Sequence, residues 1–292
     1  MKKYLIADFK ISVDSDYDKV LTESLSQYEN DFDGSADIKI NINKTKEIIV
    51  NEYINVSKIT DGKFYCNHNG LDRVIFYDDN SEKIMAVITF SDDYSNIEIL
   101  AHDVKQIYDI SDERYIFNLV GNAIHYSMRM HDAVVFHSSA ISYDGRGVVF
   151  SAVSGTGKST HTGLWQQVYP ETVMVNDDMP VIRVKNNGDV ILCGTPWAGT
   201  TGINTNIVVP LEAVVFLSRS VHNHIEPIDC QNAIKNFFEG LVSPLSPVML
   251  AKTVDTVNKI FKKVQLLSLS CNMDTEAAQV AKEYIFNNAE RK

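Results

Sequence analysis

The apolar positions of this 292-residue chain fall into two regimes. Up to about residue 110, short apolar runs alternate with acidic turns. Examples are Tyr53-Ile54-Asn55-Val56, Arg73-Val74-Ile75-Phe76-Tyr77, Lys83-Ile84-Met85-Ala86-Val87-Ile88-Thr89-Phe90 and Asn96-Ile97-Glu98-Ile99-Leu100. They predict strands of an antiparallel, mainly β region, with one short helix over Val20 to Tyr28. The spacing then turns helical. Ser111 reads as an N-cap with Asp112 and Glu113 in the first turn, opening a helix to about Met130. That helix turns Tyr115, Leu119, Ile124 and Met128 toward a core.

Past residue 130, strand-like runs (Gly147–Phe150, Thr172–Val175, Val190–Cys193, Ala213–Leu217, Val264–Ser270) alternate with helical stretches. The helices are expected over Lys158–Gln167, Gln231–Gly240, Val248–Lys263 and Asp274–Asn287. This is the pattern of an α/β layer structure, and with the β-rich first part it makes the chain α+β overall. Residues 1–110 are expected to form a smaller β domain for substrate or partner recognition, and 111–292 the catalytic domain.

Composition narrows the function classes. A net charge of −11 argues against nucleic acid and against an anionic membrane surface as partners. No apolar run approaches membrane-spanning length, and Asp8 interrupts the N-terminal apolar stretch before a signal peptide forms. Cys66, Cys193, Cys230 and Cys271 are far apart, without zinc spacing, which predicts reduced thiols and a cytoplasmic setting. Asp14, Asp16, Asp18, Asp31 and Asp33 lack an EF-hand glycine and closing glutamate, and read as solvated turns.

The chemistry concentrates at Ser154-Gly155-Thr156-Gly157-Lys158-Ser159-Thr160, between the strand at Gly147–Phe150 and a helix. Such a loop aims backbone N–H groups and the positive end of a helix dipole at one spot, a cradle for phosphate. Lys158 would reach the β- and γ-phosphates, and Ser159 would stand on Mg²⁺. The first glycine of the G-x-x-x-x-G-K-[ST] pattern falls on Ala152. About 20 residues on, Asp177-Asp178 closes an apolar strand, where one carboxylate can hold a metal and the other act on a hydroxyl.

Several residues keep two readings. On its own, His137 is as well a satisfied strand-end histidine as a phosphate contact. His161 reads equally as helix packing or nucleotide contact. In Gly194-Thr195-Pro196-Trp197-Ala198-Gly199-Thr200, the indole is either a pocket wall or an anchor for the loop. The segment Thr201–Asn206 reads as a closing loop, and Arg219 either contacts phosphate or is solvated.

From Phe136 to Arg219 the chain resembles the C-terminal domain of HPr serine kinase/phosphorylase and its shorter relatives, whose P-loop fold is shared with phosphoenolpyruvate carboxykinase. The matching blocks are Phe136-His137-Ser138-Ser139-Ala140, Ser151 to Trp165, Val175-Asn176-Asp177-Asp178-Met179-Pro180 and Gly194 to Thr200. The resemblance implies a P-loop kinase domain preceded by a mainly β domain, with ATP and Mg²⁺ as cofactors. It also implies roles: Lys158 on the transferred phosphate, Ser159 and Asp178 on the metal, Asp177 as general base and His137 near the phosphates. Thr195, Trp197 and Arg219 are candidates for the substrate side. The family's Glu-Ile-Arg-Gly-Leu-Gly signature is missing, so a second metal ligand and recognition of HPr do not carry over.

The expected activity is transfer of the ATP γ-phosphate to a hydroxyl, on a protein or modified-peptide serine or on a small metabolite. A non-catalytic nucleotide-binding regulator and a carboxykinase-type enzyme are the alternatives. An oligomer is compatible with the resemblance but not required by it.

Overall fold

In Ile38-Lys39-Ile40-Asn41-Ile42 the isoleucines are buried and the residues between them are not, the period of a strand with one covered face. This segment is β3 (Ile38–Thr45), the third strand across an eight-stranded sheet. The computed structural model describes residues 1–15, 17–48, 56–102 and 112–287. Its chain divides into two compact units, Met1–His131 with Ser243–Lys252, and Asp132–Val242 with Thr253–Lys292.

In the first unit, β1 (Lys2–Ile6) and β2 (Phe9–Ser15) form a hairpin. Helix α1 (Asp18–Ser24) and a 3₁₀ turn (Ser26–Tyr28) then lead to β3. A meander follows: β4 (Ser57–Thr60), β5 (Lys63–His68), β6 (Leu71–Asp78), β7 (Lys83–Phe90) and β8 (Asn96–His102). The order is β1-β2-β3-β8-β7-β6-β5-β4.

The sheet is not antiparallel throughout, as its sequence led us to expect. Strand β3 runs parallel to both β2 and β8, because α1 carries the chain back across the sheet between β2 and β3. Helix α2 (Asp112–Met130) packs on β3, β7 and β8 with Leu119, Ile124 and Met128 buried. The helix expected to open the second domain therefore belongs to the first unit. Ser111, the side chains of Asp112 and Glu113, and all but Val56 of the expected strand at 53–56 lie outside the described residues.

The second unit holds β9 (Ala133–Val135), β10 (Ser139–Tyr143), β11 (Arg146–Ser151), α3 (Lys158–Val168), β12 (Val173–Asn176), β13 (Val181–Val184) and β14 (Val190–Cys193). It continues with β15 (Val208–Arg219), β16 (His224–Pro227), α4 (Cys230–Glu239), α5 (Pro247–Phe261, in this unit from Thr253), β17 (Gln265–Cys271) and α6 (Glu276–Asn287).

Strand β15 organises the unit. Its first residues pair antiparallel with β14, and from Leu211 onward it lies parallel to β11, with β17 parallel on its other side. Successive residues of β11 enter opposite layers: Val148 and Phe150 pack with Leu164, Trp165, Ala278 and Ile285, whereas Val149 packs with Phe237, Val257 and Ile260. Burial on both faces explains the near-continuous apolar runs of β11 and β15. The result is an α/β layer structure whose parallel strands β11 and β15 end, at their C-terminal edge, beside Ser154 and Arg219.

Candidate functional site

Strand β11 stops at Ser151 and α3 starts at Lys158, leaving six residues to turn the chain. Gly155 (φ +78°) and Gly157 (φ +118°) take backbone conformations that L side chains rarely adopt. The turn is closed by Thr156 N–H donating to Val153 O (3.1 Å). No acidic residue stands in the first turn of α3, so the positive end of its dipole faces the loop uncancelled. Val153, Ser154, Gly155, Ser159 and Thr160 are exposed.

The Lys158 ammonium donates to Ala152 O (3.3 Å), which folds the side chain back over the loop. Its partial burial lowers its pKa, against the opposing pull of Asp178 and Asp177. Arg219, at the end of β15, reaches the same loop from outside. Its guanidinium donates to Gly155 O (2.6 Å) and Thr156 O (3.3 Å). Arg219 thus braces the loop's main chain through two carbonyls.

The carboxylates come from the turn after β12. Asn176 is fully buried and holds that turn: Oδ1 accepts from Asp178 N–H (2.8 Å) and Met179 N–H (2.7 Å). Its Nδ2 donates to Thr195 O (2.8 Å) and Trp197 O (3.2 Å), tying the carboxylate turn to the 194–200 loop. Asp177 Oδ1 accepts from Ser139 Oγ (2.7 Å), and the Ser139 hydroxyl also meets Thr162 Oγ1 (2.8 Å). Asp178 Oδ1 lies 3.2 Å from His137 Nδ1. Burial raises the Asp178 pKa, reinforced by Asp177, and burial lowers that of His137, reinforced by Lys158. Both groups therefore move toward their neutral forms.

One open cleft of about 470 Å³ collects these pieces. His137, Ser154, Gly155, Gly157, Lys158, Ser159, Thr160, Asp177 and Asp178 line it, joined by Ala198, Gly199, Thr200 and Thr201. Gly199 (φ +60°) passes so close to Asp178 that a Cβ there would stand 2.9 Å from Oδ2. The 194–200 loop therefore meets the cleft through its backbone and its last residues. Trp197 is buried, as is Thr195, whose Oγ1 donates to Met179 O (2.7 Å), and neither lines the cleft. Thr156 lines a neighbouring cavity with Arg219. His161 is 2% exposed, packs its ring edge on Phe150 and accepts from Trp165 Nε1 (3.2 Å).

Sequence reasoning had not singled out Ser139, Thr162 or Asn176 as site residues. An asparagine ahead of Asp-Asp-Met-Pro is an Asx-turn signal that points to Asn176. No local signal marks Ser139, because its meeting with Asp177 depends on the pairing of β10 with β12.

Among the described residues no group of three or more His, Cys, Asp or Glu side chains is placed to hold a metal by itself. Likewise no described helix is long and apolar enough to cross a membrane. All four cysteines are free.

Compared with known proteins, residues 106–289 match the family model described as SynChlorMet cassette protein ScmC. No curated protein matches. Among solved structures, the HPr(Ser) kinase/phosphatase from Coxiella burnetii aligns at 16% identity and a TM-score of 0.24. That alignment covers 44% of this chain and 91% of the other.

Proposed function

We propose that this chain, which belongs to the SynChlorMet cassette protein ScmC family, is an ATP- and magnesium-dependent phosphotransferase acting on a hydroxyl group. The observation that carries this reading is the single cleft in which the glycine loop, Lys158 and Ser159 face Asp177, Asp178 and His137.

Phosphoryl transfer asks a protein for positioning and charge neutralisation more than for covalent chemistry. The loop amides and the α3 N-terminus receive the phosphates, and Lys158 neutralises the γ-phosphate end. Magnesium characteristically combines one or two carboxylates with substrate phosphates, without needing an all-protein cage. The donor set here, one serine hydroxyl and adjacent carboxylates beside a phosphate loop, fits that habit. Ser159 and Asp178 would hold the ion, which would spread the charge developing on the phosphates.

Asp177 is the base. Its Oδ1 is fixed by Ser139, and the carboxylate lines the cleft. The acceptor oxygen gives its proton to Asp177 and bonds the γ-phosphorus. The bond from that phosphorus to the β–γ bridging oxygen breaks, and ADP leaves with the electron pair.

The test is transfer of γ-labelled phosphate from MgATP into extract of the source cells, with macromolecules separated from small molecules before counting. Label in either fraction, lost with Asp177→Asn, is the expected result. Equal labelling by parent and variant, or MgATP binding without any labelled product, overturns the reading in favour of a nucleotide-binding regulator.

A further inference from the structure

A second cavity, of about 510 Å³, lies on the other flank of the phosphate loop and shares His137 and Ser154 with the cleft. Its floor is apolar, from Phe216 and Leu217, and its far wall is the last turn of α4, with Asn236, Glu239 and Gly240. Resting on the kinase reading above, we propose that this cavity holds the body of the acceptor, whose hydroxyl extends past the shared His137 and Ser154 to Asp177 in the cleft, and that the acceptor carries a positively charged amine beside that hydroxyl.

Position is the first argument. The loop amides cradle the inner phosphates and Lys158 reaches the outer ones, and we assign the nucleoside to the third cavity, beside Thr160. That third cavity, of about 320 Å³, is lined by Thr160, Leu164, Leu217, Arg219 and Met273. The larger cavity is on the side of the loop's first residues, Ser151 to Ser154, away from Thr160. In-line displacement needs the acceptor and the nucleoside apart, and this cavity opens to the cleft through His137 and Ser154 rather than through Thr160.

Charge is the second. No lysine or arginine lines the cavity, and its one ionised side chain is Glu239. The last turn of α4 carries no basic residue, so its negative dipole end adds to the carboxylate. The wall therefore attracts an ammonium and repels a carboxylate or phosphate on the acceptor.

Rigidity is the third. His137 N–H donates to Gly240 O (2.8 Å), and Phe136 stacks on Phe237 with centroids 4.3 Å apart. These contacts clamp the end of α4, which carries Glu239, to the link between β9 and β10 that bears His137.

Two sources share this chemistry, an amino alcohol and a hydroxyl residue flanked by lysine in a peptide. Phosphate transfer from MgATP would be measured at low salt to Lys-Ser-Lys, Gln-Ser-Gln and Glu-Ser-Glu, and to ethanolamine and glycerol. MgATP binding would be measured separately on each protein. The expected result is a kcat/KM at least about tenfold higher for a cationic probe than for its anionic or neutral counterpart. The preference should shrink as salt screens the exposed Glu239 and reverse among the peptides in Glu239→Lys. Whichever cationic probe reacts identifies the source. Equal or anion-favouring rates, an unchanged order in Glu239→Lys, or bound MgATP with no transfer to either cationic probe overturn the acceptor assignment. Failure to bind MgATP overturns the kinase reading itself.

Discussion

His137 Nδ1 lies 3.2 Å from Asp178 Oδ1, and backbone bonds hold the two together from either side. Phe136 N–H donates to Pro180 O (3.1 Å) and Ser138 N–H to Asp178 O (3.0 Å), so the imidazole and carboxylate are carried on one laced segment. Partial burial pushes the imidazole pKa down, the Lys158 charge pushes it further, and Asp178 pulls it back. The ring should therefore titrate below its ordinary value of about 6.5. The signs separate the contributions: Lys158→Ala removes a cation and should raise the midpoint, and Asp178→Asn removes an anion and should lower it. Histidine NMR titration of the three proteins checks this. A midpoint that stays put in both variants would mean that neither charge is close to the ring.

Ser139 is the residue that aims Asp177. Its hydroxyl donates to Asp177 Oδ1 at 2.7 Å while also bonded to Thr162 on α3, so the proposed base is tied to the helix that follows the glycine loop. Asp177→Asn should leave MgATP affinity nearly unaltered and cut transfer by at least ~10²-fold, the scale of a lost general base. Ser139→Ala keeps the carboxylate but frees its orientation, so kcat should fall by roughly tenfold with little change in acceptor KM. Ser139→Thr, which keeps the hydroxyl, should recover most of that loss. A Ser139→Ala enzyme with parental kcat would remove Ser139 from the positioning of the base.

Arg219 braces the loop proposed to receive the nucleotide. With the guanidinium on two loop carbonyls, Arg219→Ala should loosen the turn and weaken MgATP binding by roughly tenfold. Arg219→Lys should not restore it, because an ammonium lacks the planar fork that spans two acceptors. Amide hydrogen exchange across 152–158 gives a second readout, with faster exchange expected in both variants. Unaltered exchange together with weaker binding would instead put the arginine in direct contact with nucleotide.

Most of the second unit's elements were legible because period and punctuation agree there. The runs Gly147–Phe150 and Val190–Cys193 and the helix from Lys158 stand at or within a residue or two of where the apolar pattern put them. The positions of the glycine loop and of Asp177-Asp178 were readable for the same reason, each following a strand. What escaped was set by pairing between distant segments. The parallel placement of β3 against β2 and β8 cannot be read from alternation, which is the same in either direction. Trp197 was ambiguous because a large aromatic in a loop serves a pocket or a core equally well, and its burial beside the Asn176 anchor emerges only in three dimensions.

His161 ties the stability of the second unit to pH. The ring is buried against Phe150, Nε2 accepts from Trp165, and burial lowers its pKa from 6.5 to about 4. Below pH ~6.5 the unfolded chain takes up a proton that the native ring refuses. Stability from this group is thus full above that pH, falls as pH drops toward about 4, and levels off beneath it. At ~1.4 kcal/mol per pH unit the whole interval amounts to about 3 kcal/mol. His161→Gln keeps an acceptor for the indole N–H but does not titrate, so between pH 7 and pH 4.5 its acid loss should be smaller than the parent's by about 2 kcal/mol. Both tryptophans, Trp165 and Trp197, belong to the second unit, so urea unfolding followed by their fluorescence at pH 7 and pH 4.5 reports on it directly. Equal acid losses in the two proteins would mean that the native fold accepts the proton at His161 without penalty.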